Sequence, residues 1–184
     1  MDPGSYLTHA LLERWLDPEE RVRVEWIPLE LRPPGRPLLD PDDPDWREMS
    51  RHLAEEARSL EIPFDPPSSI PRTRKAMELV LHAREQGAFE EIHSALFHAR
   101  FVERRDLGRI DELVSIAEAE GLDPAECRTV LGVDRFKPDV EACREALFGE
   151  AVRGTPTLIE GASRLEGFHG ADKVQIFLSD AGRS

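Results

Sequence analysis

From Ser5 to Leu16 the apolar residues Leu7, Leu11, Leu12, Trp15 and Leu16 gather on one side of a 3.6-residue period, which predicts a helix with one buried face and Ser5 as its N-cap. The period then falls to two. Val22, Val24 and Trp26 alternate with Arg21, Arg23 and Glu25 in the stretch RVRVEWIPLEL, the pattern of a half-buried strand at a sheet edge. The next stretch, LRPPGRPLLDPDDPD, is too dense in proline and aspartate for regular structure and predicts a surface loop. Helical spacing resumes with Trp46, Met49, Leu53, Ala57 and Leu60, after a cap at Asp43 or its neighbours.

Prolines break the pattern again in EIPFDPPSSIPR, and from Thr73 to about Ala151 the chain reads as helical throughout. Met77, Val80 and Leu81 mark one helix ending at Gly87. Phe89, Ile92, Leu96 and Phe101 mark a second, and Leu113, Ile116 and Ala117 a third ending at Gly121. Asp123, Pro124 and Glu126 place a cap, a first-turn proline and a first-turn acid at the start of a fourth. Pro138 starts a fifth, with Val140, Cys143, Leu147 and Phe148 inward. After Gly154 the period returns to two: PTLIE, the turn GAS and RLEGF form a hairpin, and Val174, Phe177 and Leu178 mark a closing helix. The order is helix, strand, several helices, hairpin, helix, with no internal repeat.

Composition narrows the function classes. A net charge of −13 over 184 residues argues against a general nucleic-acid surface, which relies on clustered Lys and Arg. No apolar run approaches the roughly 18 residues of a membrane span, and no basic-then-apolar leader opens the chain, so a cytoplasmic location and no membrane partner are expected. Cys127 and Cys143 have no metal spacing around them and fall on apolar helix stripes, so they are expected to be buried structural thiols, with a redox pair as the alternative. His93 and His98 lie five residues apart, on different helix faces, so no metal site is expected. His169 sits beside the Gly170-Ala171 turn, either lining a site or on the surface.

The segment Gly154-Thr155-Pro156-Thr157 raises the question of chemistry. Proline has no N–H to give a ladder, so its place at the mouth of a strand marks either an edge strand or a point where the backbone turns to face something else. A Gly-x-Pro-Thr leading into a hairpin and a last helix, after a helical insert, resembles the C-terminal half of a thioredoxin fold of the DsbA family. IPLELRPPGRPL is similar to the strand and proline loop of the branch containing FrnE and 2-hydroxychromene-2-carboxylate isomerase. The helical run from Pro71 to Asp123 and the FHGAD segment follow that branch as well. The resemblance implies an α/β thioredoxin-like fold with a large α-helical insertion: residues 1–40 and 152–184 as the thioredoxin-like domain, 41–151 as the insertion. It implies that Pro156 is cis and that Arg153, Gly154, Thr155 and Pro156 bind the backbone of a peptide or of glutathione.

The other half of the family's site is different here. Those oxidoreductases carry Cys-x-x-Cys at the start of the first helix, where unpaired amides stabilise a thiolate. In MDPGSYL, aligning Ser5-Tyr6-Leu7 with the family's Cys-Tyr-aliphatic sequence puts Ser5 on the second cysteine, Asp2 on the first and Pro3 on the intervening proline; a second alignment takes Asp2-Pro3 as a preceding dipeptide with a deletion after it. Neither supplies a thiol, and disulfide exchange needs one. In glutathione-using relatives, the kappa-class transferases and the isomerases, a serine at this helix start is implied to hold the glutathione sulfur as thiolate. Ser5 is therefore either a candidate catalytic residue with glutathione as cofactor, or a plain cap. Three functions stay open: thiol-dependent isomerase or transferase-like chemistry on a small thiol, a non-catalytic peptide-binding or chaperone-like module, and a protein-disulfide oxidoreductase shortened at its N-terminus. The resemblance also implies an interior strand before this helix, yet Met1 to Gly4 are fewer than the roughly five or six residues of a usual strand. The expectation is that sequence upstream of Met1 encodes it, that it has been trimmed away, that the domain is degenerate, or that a neighbouring chain in a homodimer supplies it.

Overall fold

Among the described residues, four helices begin on the dipeptide Asp-Pro: Asp2-Pro3, Asp17-Pro18, Asp43-Pro44 and Asp123-Pro124. In each, the aspartate is the N-cap and accepts from one or two first-turn amides, while the proline takes a position whose N–H would have no helical partner. A computed structural model describes residues 1–65 and 71–181. Its helices are α1 (Pro3–Trp15), α2 (Pro18–Val22), α3 (Pro44–Ser59), α4 (Arg74–Gln86), α5 (Phe89–Phe101), α6 (Ile110–Ala119), α7 (Pro124–Gly132), α8 (Lys137–Gly149) and α9 (Ala171–Ala181). The strands are β1 (Thr157–Glu160) and β2 (Ser163–Glu166), an antiparallel hairpin with Leu158 opposite Leu165. The proline-rich break expected over EIPFDPPSSIPR lies partly outside the described residues.

Two expectations are corrected. The first helix starts at Pro3 with Asp2 as its cap, so Ser5 stands inside the first turn rather than at the cap. The carboxylate of Asp2 accepts the amide of Ser5, and this fixes the boundary upstream of the serine. The strand predicted around Val22 to Trp26 is absent. A capping box, in which Asp17 accepts from the Glu20 amide and Glu20 accepts from the Asp17 amide, starts the short α2, which takes in Arg21 and Val22. Residues 24–30 then run without regular structure, with no described strand beside them to complete a ladder. The fold is thioredoxin-like but mostly helical, and its sheet among the described residues is the two-stranded hairpin.

Two apolar clusters hold the elements together, and α5 belongs to both. Its Ile92, Leu96 and Ala99 join Leu79, Ala83, Leu113, Ala117, Cys127 and Leu131 from α4, α6 and α7. Its Phe97 and Phe101 join Tyr6, Leu7 and Leu11 of α1, Leu53 and Ala57 of α3, and Val174 of α9. Tyr6 stacks on Phe101 at 5.2 Å between centroids and donates its hydroxyl hydrogen to the Pro63 carbonyl at 2.5 Å. This contact seats the first turn of α1 against the second cluster. No helix among the described residues is long and apolar enough to cross a membrane.

Candidate ligand-binding site

The site is built where the first turn of α1 meets the loop that opens the hairpin. Asp2 is extended and caps the helix: one carboxylate oxygen accepts the Ser5 amide at 3.0 Å and the other accepts the Ser5 hydroxyl at 2.5 Å. Both oxygens are thereby fixed by one residue, and the helix N-terminus is complemented by the chain's own anion. Ser5 is buried. Its only hydroxyl hydrogen goes to Asp2, which leaves the oxygen's lone pairs and no donor for a ligand sulfur.

Opposite lies Arg153 to Pro156. The Thr155–Pro156 peptide is cis, and Pro156 is buried. The Pro156 carbonyl accepts from the Gly167 amide at 2.7 Å, and the Thr157 hydroxyl donates to the Gly154 carbonyl at 2.8 Å, so the base of the hairpin is closed on both sides of Thr155. Thr155 itself is outside the ladder, and among the described residues its N–H and C=O pair with no backbone group. Gly4 allows the approach of the two halves: a Cβ on it would lie 3.1 Å from Pro156 Cδ and 3.1 Å from Phe168 Cβ, closer than side chains normally tolerate.

Of the residues singled out by sequence, Ser5, Thr155 and Pro156 come together here. The Arg153 side chain turns away: its guanidinium donates to the carbonyls of Phe148 at 2.6 Å and Val152 at 3.2 Å, and lies over the Phe148 ring at 5.3 Å. Gly154 contributes its carbonyl to the Thr157 hydroxyl. His169 is exposed and bonds the Glu166 carbonyl at 2.8 Å, on its own loop. Cys127 is buried in the helical cluster and Cys143 is half-buried on α8; both are free, and burial pushes both thiols up, opposite to the shift an attacking thiolate requires.

Two cavities open from the gap, and Asp2 and Thr155 line both. The larger, about 110 Å³, is walled by Leu31, Arg32, Trp46, Arg72, Arg100 and Phe101 among others. The smaller, about 90 Å³, is reached by Ser5, Trp26, His93 and Phe97. Neither Asp2 as a cap, nor His93, Arg72 and Arg100 as lining, was identified from sequence as part of the site. For Asp2 the signal was available, because Asp-Pro marks a helix start as well as Ser does. Burial lowers the His93 imidazole from 6.5 to about 3, with His9, the chain's amino group and Arg84 adding to the effect, so its ring is neutral. Burial also lowers the Arg100 guanidinium's pKa.

A helical insert between a capped first helix and a proline-gated hairpin is the arrangement of a DsbA-like thioredoxin domain. A family model of the DsbA-like thioredoxin domain matches residues 3–181, and the chain belongs to that family. It is similar to the uncharacterized protein YwbO of Bacillus subtilis (strain 168), 33% identical over 165 residues that cover 86% of this chain and 82% of that protein. Among solved structures, a probable DsbA oxidoreductase from Streptomyces coelicolor superposes with a TM-score of 0.79 at 22% identity, covering 100% of this chain and 86% of the other. A 2-hydroxychromene-2-carboxylate isomerase gives a TM-score of 0.73 at 18% identity over 99% of this chain and 90% of the other. A protein from Nitrosomonas europaea described as a protein disulfide isomerase gives 0.69 at 18% identity, covering 99% and 94%. These likenesses concern the fold.

Proposed function

We propose that this DsbA-like protein holds an extended peptide against Thr155 and does not exchange disulfides. The observation that carries this reading is the unpaired edge of Thr155, a peptide group outside the ladder at the meeting point of two cavities, while the facing helix start offers a carboxylate and a hydroxyl in place of thiols. An extended segment laid on such an edge gains backbone hydrogen bonds whatever its sequence, which is the usual basis of strand addition.

Glutathione-dependent chemistry is the second reading, favoured by a serine in the first turn of α1. Against it, the Ser5 hydroxyl hydrogen is engaged by Asp2, and a thiolate placed there would face that carboxylate across a short distance. Reduced glutathione and a cysteine-free acetylated tetrapeptide are the two probes for calorimetry. The peptide is expected to bind with a Kd in the range of roughly 10 to 100 μM, or about −5.5 to −7 kcal/mol. Glutathione is expected to give no heat that Ser5→Ala abolishes, and insulin is not reduced. Insulin reduction by the chain, or saturable glutathione binding lost in Ser5→Ala, would overturn the proposal.

A further inference from the structure

The larger cavity has a charge character opposite to that of the whole molecule. The chain carries a net −13, yet Arg32, Arg72 and Arg100 all line this single space. Two carboxylates line it as well: Glu30 pairs with Arg144 of α8 at 3.3 Å, while Asp2 accepts from the neutral amide and hydroxyl of Ser5 and keeps its charge, so three arginines face one carboxylate that has no ion-pair partner among the described residues. Arg100 is only 4% exposed and donates to the Arg105 carbonyl at 3.2 Å, and Arg32 donates to the Pro37 carbonyl at 3.1 Å; these acceptors are uncharged, so the guanidinium charges are not cancelled by them. Arg72 donates to the carbonyls of Arg32 and Pro33, both at 3.2 Å, and of Arg36 at 3.1 Å, so it ties the 32–36 loop to the cavity rim. The remaining wall is apolar, with Leu31, Leu38, Trp46 and Phe101.

Arginines and an apolar wall within about 110 Å³ set a joint requirement. The ligand must bring a planar anion that accepts from guanidinium forks, and an apolar group, close together. An acidic side chain brings the anion alone. The last residue of a polypeptide brings both on one Cα. Resting on the reading that Thr155 pairs with a peptide backbone, we propose that the larger cavity takes the C-terminal residue of that peptide, its free carboxylate toward the arginines and an apolar side chain against Trp46 and Phe101. The protein is then a reader of apolar peptide C-termini. Alternation along an extended ligand sends the neighbouring side chain the other way, toward the smaller cavity with its neutral His93.

Calorimetry on the intact chain tests this with three probes: Ac-Ala-Ser-Ala-Leu as the free acid, the same peptide as the C-terminal amide, and 4-methylpentanoate, which carries the apolar acid without a peptide backbone. The free acid is expected to bind at least tenfold tighter than the amide. That advantage shrinks when salt rises from about 0.05 to 0.5 M, because screening shortens the reach of the arginine charges. It also shrinks in Arg32→Gln, a half-buried side chain whose loss leaves Arg72 and Arg100 in place. Equal binding of acid and amide overturns the carboxylate site and leaves the peptide reading standing. Binding of 4-methylpentanoate as tight as that of the peptide acid, or in the absence of any peptide binding, overturns the peptide reading itself.

Discussion

The charge state of His93 is set by its surroundings. The ring is 6% exposed, with Trp26, Phe97, His9 and Phe89 around it at centroid distances of 4.5, 4.8, 5.0 and 5.2 Å, and its Nδ1 has no hydrogen-bond partner. Its pKa is about 3 against an ordinary 6.5, and burial is the first cause. A folded-state value below the unfolded one means that the unfolded chain takes up the proton first. Stability is therefore complete above about pH 6.5 and declines as pH falls toward 3. At 1.36 kcal/mol per unit, the part of that window between pH 6.5 and 5 corresponds to about 2 kcal/mol. Urea unfolding at pH 7 and pH 5 should show wild type losing about that much more stability on acidification than His93→Phe, which keeps a ring in the cage and cannot be protonated. Equal losses in the two proteins would show that His93 does not carry the acid sensitivity. The same environment explains why sequence pointed elsewhere: on a helix its spacing to His98 could be tested against a metal site, whereas the aromatic cage is assembled from three separate segments.

The start of α1 puts the capping argument on a measurable footing. Asp2→Ala removes both acceptors of Ser5 and should cost about 1 kcal/mol, within the range of about 0.5 to 2 for N-caps. Ser5→Ala removes only the hydroxyl bond, worth about 0.5 to 1.5 kcal/mol. Because the two residues share that bond, the double variant should fall short of the sum by about 0.5 kcal/mol or more in urea midpoints, and strict additivity would refute the coupling. At this scale the sequence was largely readable, and for the same reason. Asp123 was found from its Asp-Pro start and Asp43, or a neighbour, from the helical spacing that follows it; α5, α9 and the hairpin were found from period and turn residues. Ser5 was taken as the cap because its side chain suits the role, yet an aspartate and a proline stood three and two residues earlier. The alternation at Val22 to Trp26 misled because a short capping box outweighs period two when no neighbouring strand is at hand to reward the extended form. The hairpin half of the site was legible from Gly-x-Pro-Thr. The arginines of the larger cavity were not, since Arg32, Arg72 and Arg100 are separated by tens of residues and share a wall only after α4 and α5 have packed.

For the molecule as a whole, α5 decides whether the two clusters behave as one cooperative unit. Leu96 is fully buried in the cluster formed with α4, α6 and α7, whereas Phe97, the next residue, belongs to the cluster formed with α1, α3 and α9. A rigid helix cannot lose its packing on one side and hold register on the other, so damage at Leu96 should be felt across the cleft that contains Asp2 and Thr155. The tryptophans make this testable, because Trp15 and Trp46 lie outside the helical cluster, whereas Trp26 sits at its border, on His93 of α5 at 4.5 Å and beside Val80 of α4 in the smaller cavity. Trp15 packs on the second cluster, Trp46 lines the larger cavity and Trp26 the smaller. Far-ultraviolet circular dichroism, by contrast, reports α4 to α8 as strongly as the rest. Leu96→Ala should lower stability by about 2 to 5 kcal/mol, as expected for a buried leucine whose cavity cannot fully collapse. If α5 couples the clusters, tryptophan fluorescence and circular dichroism shift together to the same lower urea midpoint, as a single transition requires. A circular dichroism transition that moves to lower urea while the tryptophan transition stays at the wild-type midpoint would mean that the helical cluster unfolds by itself. The cleft, whose Arg100 shares one side of α5 with Leu96 one turn before it, would then keep its geometry without the packing of Leu96 against α4, α6 and α7.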